Sequence, residues 1–257
     1  MRRLGRFIGQ GPRWIVLALA LGSAVLALGT GWVQAQRHGA PPEAERQPLG
    51  LFTSLPLLWG EAPGVAELLA TPPPPHWAKS FLERDYRLIA LDTLHLPTGM
   101  RFLLVAQPRV FSPDENVALD QFVRSGGHLL LFADPMLTWD SAFAIGDRRR
   151  PQDTVLLSPI LTRWGLELQF DESQPSGARE IAGIPVNLPG MLALLPKQPG
   201  PSLATTCRIE AGGLLAKCRI GRGSALIVAD AAVLEPDGQP QQITALNDLI
   251  RQAFTPD

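Results

Sequence analysis

Residues 14–33, WIVLALALGSAVLALGTGWV, form a run of twenty residues without one charged side chain. At about 1.5 Å of rise per residue a helix of this length covers roughly 30 Å, the thickness of a bilayer's hydrocarbon core. Arg2, Arg3, Arg6 and Arg13 precede the run with no acidic residue among them, whereas Arg37 and Arg46 follow it mixed with Glu43 and Glu45. Basic residues stay on the cytoplasmic side, so the asymmetry places the N-terminus inside and the rest of the chain outside. Trp14 and Trp32 stand at the two ends, where an amphipathic ring prefers the headgroup region. As an uncleaved signal anchor the helix stays; as a signal peptide it is cut after Val33-Gln34-Ala35. A helix buried in a soluble fold is the third reading. The anchor fits best, because the run is longer than the ~7–15 residues of an ordinary signal core. The expected organisation is a cytoplasmic terminus at 1–13, a transmembrane anchor at 14–33, a polar Pro-containing linker at 34–48, and an exported domain at 49–257.

A chain of 257 residues is long enough for one good-sized domain or two small ones. The whole chain carries 23 basic and 24 acidic residues, net charge −1, which argues against nucleic acid as a partner. Lys79, Lys197 and Lys217 are the only lysines, so the basic residues are nearly all Arg, a bias of GC-rich bacterial genomes. A bacterial inner membrane with the bulk of the chain in the periplasm is the expected location.

The two cysteines agree with export. Cys207 and Cys218 bracket CRIEAGGLLAKC, and Gly212-Gly213 at its middle is a two-residue turn signal, because both positions tolerate positive φ. Folding there sets 207 opposite 218, 209 opposite 216 and 210 opposite 215. The sulfurs are then close enough to bridge in an oxidising compartment, on what a two-residue turn makes a hydrogen-bonded site, unless a bulge or a longer turn shifts it. Two buried free thiols are the alternative. The spacing matches no metal or redox motif.

Short apolar strands alternate with helices along the exported part. Strands are expected at 49–55, 86–91, 101–106, 128–133, 166–170 and 224–229, and helices at 60–70, 77–84, 112–125, 155–164 and 241–254, with a stiff polyproline spacer at 71–75. The helix after Ser112 has the strongest start. Ser112 caps, Pro113 suits the first turn, and Glu115 completes a capping box. Val117, Leu119, Phe122 and Val123 make its expected inward stripe; Ile243, Leu246, Leu249, Ile250 and Phe254 make that of the last helix. Gly126-Gly127 ends the former, and HLLLFA follows as a strand apolar on both faces, the signature of a buried parallel sheet. Strand, helix and strand make a right-handed βαβ unit.

Two strands end alike, LLLFADP at 129–135 and ALIVADA at 225–231, so Asp134 and Asp230 are expected at one carboxyl rim, where open parallel sheets bind ligands. They either form a pocket or cation site together or each caps its own turn. The loop leaving that rim holds Trp139, Asp140, Asp147, Arg148 and Arg149, an aromatic among charges, as recognition surfaces often are; a solvated loop is the alternative. There is no GxSxG, HExxH, GxGxxG or GxxxxGK[ST] in the chain, and His38, His76, His95 and His128 have no metal-ligand spacing. No cofactor is implied.

The stretch LLVAQPRVFSPDENVALDQFVRSGGHLLLFADPML at 103–137 and GRGSALIVADAAVL at 221–234 resemble the exported domain of GldG-type auxiliary proteins of ABC transport systems. The shared pattern is a strand ending in Pro, an SPxE helix, a GGxLLLFxDP strand and a later GxGxxxVxxDA strand, over roughly residues 48–137 and 220–254. The resemblance implies an open, mostly parallel flavodoxin- or amidotransferase-like sheet flanked by helices, with the Cys hairpin added. It implies no catalytic triad: where an amidotransferase-like fold carries its nucleophile, this chain has Asp134-Pro135. The first reading is therefore a non-enzymatic, membrane-anchored binding or scaffolding domain accessory to an ABC-type system, with permease and ATPase subunits or other envelope proteins as partners. An envelope hydrolase or amidotransferase-like enzyme using Asp134 and Asp230 is the second, and a purely structural envelope module the third.

Overall fold

A computed structural model describes residues 46–61, 64, 74–196 and 205–255. The apolar run at 14–33, most of the linker, the helix expected at 60–70 and most of the polyproline spacer lie outside the described residues. Among the described residues no helix is long and apolar enough to cross a membrane.

Seven strands form one sheet: β1 (Gln47–Thr53), β2 (Tyr86–Ala90), β3 (Phe102–Ala106), β4 (His128–Phe132), β9 (Thr205–Glu210), β10 (Leu215–Ile220) and β11 (Gly223–Val228). Their spatial order is β2-β1-β3-β4-β11-β10-β9, with the first five parallel and β10 antiparallel to both of its neighbours. β5 (Leu166–Gln169) pairs with β8 (Met191–Leu194), and β6 (Arg179–Ile181) with β7 (Ile184–Val186), as small antiparallel additions. The sheet is buried on both faces because its central strands carry apolar residues at successive positions. Leu104, Leu130, Phe132 and Val228 face one layer, which holds α1 (Trp77–Leu82) and α4 (Pro240–Phe254). Leu103, Val105, Leu129, Leu131 and Ile227 face the other, with α2 (Pro113–Arg124) and α3 (Ser158–Arg163). This is a three-layer mixed α/β domain with a mostly parallel central sheet.

The capping box forms as expected: the Ser112 hydroxyl accepts from Glu115 N–H at 3.2 Å while the Glu115 carboxylate accepts from Ser112 N–H at 2.9 Å. The α2 stripe needs one correction. Leu119 and Val123 are buried, four residues apart on one face, but Val117 is 54% exposed. Two residues before Leu119 is about 200° around the helix, so Val117 must point away from the core. Ile243 likewise sits at the exposed margin of the α4 stripe. α3 is shorter than the helix expected at 155–164, because Pro159 lacks the N–H that would bond back to Val155 and disfavours helix in the residue before it.

Cys207 and Cys218 are bridged, in the expected register. The turn differs: a 3-10 turn at Ala211–Gly213, with Gly212 and Gly213 at φ 66° and 102°, makes the loop four residues long instead of two. Lengthening the loop by two residues while keeping the register reverses which facing pairs exchange hydrogen bonds. The 4.0 Å Cα separation of the cysteines belongs to the closer, non-hydrogen-bonded kind of pair, which corrects the hydrogen-bonded site expected from a two-residue turn.

Candidate functional site: the carboxyl rim of the sheet

The tips of β1, β3, β4 and β11 come together through side chains that bond to backbone. Gln107, directly after β3, is fully buried and has φ 44°, a left-handed conformation uncommon outside Gly and Asn. Its amide oxygen accepts from Asp134 N–H at 3.0 Å, and its NH2 donates to the carbonyls of Asp134 at 3.0 Å and Gln152 at 2.7 Å. Ser54, following β1, donates its hydroxyl to the Gln107 carbonyl and accepts from Gln152 N–H. Gln107 thus sits at the carboxyl end of β3, with the hydrogen bonds of its amide running inward. Sequence reasoning missed Gln107, since nothing in VAQP announces a left-handed glutamine.

Asp134 and Asp230 are each 1% exposed and do share the rim. Asp134 accepts from Met136 N–H at 2.8 Å through one oxygen, and through the other from the N–H of Ala231 at 3.2 Å, the residue after Asp230. Asp230 accepts from Ala232 N–H at 2.6 Å and from Asn187 N–H at 3.0 Å. Each carboxylate therefore closes its own turn, Asp134 through Met136 N–H and Asp230 through Ala232 N–H, and the two are neighbours at the rim. Burial pushes the Asp134 carboxyl up to about 7, against the pull of its two N–H donors. Burial and then the charge of Asp134 push Asp230 up as well. Glu235, which accepts from the Thr138 hydroxyl at 3.0 Å, is raised by burial. Among the described residues no group of His, Cys, Asp and Glu has the geometry to hold a metal ion.

The loop at 138–153 divides its candidate residues. Trp139 is only 6% exposed, part of the core beneath the rim, with its ring stacked 5.7 Å from that of His76. It is not an exposed recognition aromatic. His76 accepts from Ala78 N–H at the start of α1, and burial lowers it to about 4, so its ring is neutral there. Asp140 and Arg148 are exposed. Asp147 and Arg149 pair with each other at 2.7 Å, and the Arg149 guanidinium lies 4.1 Å over the Phe143 ring. Glu61 holds the loop down, accepting from the Ser141 hydroxyl at 2.9 Å and Ala142 N–H at 2.6 Å. Arg149 and Glu61 also line a cavity of about 410 Å³ beyond the tips of β1 and β2, with Thr53, Ser54 and Asp92.

Chemically the rim offers two buried acids that hold protons readily and an exposed charged loop. The nucleophile-and-base pair that covalent catalysis requires is not formed by these residues.

No curated protein matches the chain. Solved structures with partial similarity include β-galactosidases from Bacillus circulans sp. alkalophilus (10% identity), from G. stearothermophilus (13%) and from Rahnella sp. R3 (13%), each at a TM-score of 0.42. They cover 81%, 80% and 82% of this chain, which spans 31%, 30% and 32% of theirs, about a third of their length. Residues 66–181 match the model of the family described as ABC-type uncharacterized transport system, which upholds the resemblance to auxiliary proteins of ABC transport systems over residues 66–137, where the two overlap.

Proposed function

We propose that this chain is a non-enzymatic binding or scaffolding subunit accessory to an ABC-type transport system, tethered to the inner membrane by residues 14–33 with its α/β domain in the periplasm. The family match over 66–181 is the observation that carries the transport link. The strand order, with its first five strands running 2-1-3-4 and then β11, supports a flavodoxin- or amidotransferase-like sheet. The inward hydrogen bonds of Gln107, Asp134 and Asp230 support binding over catalysis, and the disulfide supports an oxidising compartment. Asp140 and Arg148, on the loop pinned by Glu61, are the residues positioned to meet a protein partner.

The test is affinity capture of the full chain from detergent-solubilised native membranes after mild crosslinking. Recovery of an ATPase and a multi-span permease, reduced by Asp140→Ala with Arg148→Ala, is the expected result. Capture of neither subunit by the unaltered chain would sink the proposal.

One observation favours a second reading, an envelope hydrolase or amidotransferase-like enzyme. Two buried neighbouring carboxyls, both raised, are a common signature of acid–base chemistry. A hydrolytic activity abolished by Asp230→Asn in a protein of unchanged fold would establish it.

A further inference from the structure

The opposite end of the sheet carries a different chemistry. Strand alternation sends Cys207 and Cys218 to the face packed on Trp164 and α3, and therefore sends Arg208, Lys217 and Arg219 to the other face. There they border a cavity of about 640 Å³, with Arg101, His128 and Arg222 at the amino ends of β3, β4 and β11. Five cations around one cavity are conspicuous in a chain of net charge −1.

Lys217 is the cross-strand partner of Arg208, and like charges facing each other across a sheet repel. Glu210 pairs with both, at 2.8 Å from Lys217 and 3.8 Å from Arg208. At the next level of the face Arg219, Ser224, His128 and Phe102 lie in one register row, with His128 Nδ1 2.8 Å from the Ser224 hydroxyl. Burial, and after it the charges of Arg101 and Arg219, lower the pKa of His128. The row thus presents a hydroxyl and an imidazole between guanidinium groups, a donor set suited to tetrahedral oxyanions.

We infer that this groove binds a phosphate-bearing anion, held by Arg208, Lys217 and Arg101 and oriented by Ser224 and His128. Guanidinium pairs bond phosphate oxygens bidentately, and an anion entering the groove adds to Glu210 in offsetting the cations that face each other there. A phospholipid headgroup and a free phosphate ester are both sources of that chemistry. The inference does not depend on the transport partner.

The experiment is calorimetric titration of the full chain in zwitterionic micelles, with inorganic phosphate in one arm and short-chain phosphatidylglycerol in the other. Phosphate binding that phosphatidylglycerol does not improve assigns a soluble ester; binding by phosphatidylglycerol that phosphate fails to match assigns a headgroup. Arg208→Gln with Lys217→Gln should weaken either about tenfold or more, the scale of losing charge-assisted hydrogen bonds. Arg84→Gln with Arg87→Gln, the same loss of charge on the other edge of the sheet, should leave it within about twofold, as exposed charges a Debye length away are screened. No heat from either ligand with the unaltered chain, or equal weakening by the two double variants, would overturn the inference.

Discussion

The two ends of one sheet use polar residues in opposite ways. At the carboxyl rim Gln107, Asp134 and Asp230 are buried and direct their hydrogen bonds to backbone donors and acceptors, so the strand tips are tied to the loops that cover them. At the amino end Arg208, Lys217 and Arg219 crowd one face with Glu210 as the carboxylate bridging the first two. Buried polar groups with all partners in place hold a fold together; cations gathered on an exposed face can still take up an external anion. Position at the carboxyl ends of parallel strands is therefore not enough to mark a site. What the groups there are already bonded to decides the matter.

Substitutions should separate the ends, and the largest effect is expected under the rim. Trp139→Ala empties a buried aromatic site and should cost about 4 kcal/mol in urea unfolding; a cost near zero would restore Trp139 as a recognition residue. Replacing Cys207 and Cys218 by Ser frees the hairpin that carries the basic groove, and should cost about 3 kcal/mol on the loop-entropy scale for so short a loop. Gln107→Ala strands the Asp134 N–H and two carbonyls, for a loss of about 2 kcal/mol.

Asp134, coupled to Asp230, gives the rim a pH signature. Its carboxyl lies near 7 in the folded protein and near 4 unfolded, so the native state holds the proton more tightly. Its contribution to stability is then complete below about pH 4 and is lost as pH rises through about 7. Asp134→Asn should flatten that fall in Tm, whereas an unchanged profile would show that the carboxyl is ionised and stabilised in place. The smallest effect belongs to the groove: Arg208→Gln relieves a like-charge pair, so stability should stay level or rise by about 0.5 kcal/mol. A loss comparable to that of Gln107→Ala would mean that the groove, too, is structural.

Much of this was legible in the sequence where the signal is local. The Ser112–Glu115 box, the register of Cys207 with Cys218 and the shared rim of Asp134 and Asp230 each follow from short patterns whose physics is confined to one turn or one strand end. Trp139 was misread because a polar neighbourhood in sequence conceals a ring that turns inward onto His76. Gln107 left no trace, as its left-handed backbone is set by the loops on either side. The basic groove was invisible for a different reason: Arg101, His128, Arg208 and Lys217 are spread over more than a hundred residues, and only the sheet order joins them. The alternation of Lys217 and Arg219 around Cys218 was the one local sign available.

An amide chemical-shift titration of the isotope-labelled full chain with inorganic phosphate reads both ends at once. Progressive, saturable shifts at Arg208, Lys217 and Ser224, with Gln107, Asp134 and Asp230 unmoved, are the predicted result. Shifts centred on Asp134 and Asp230 while the groove stays silent would contradict the account, and would return the binding function to the rim.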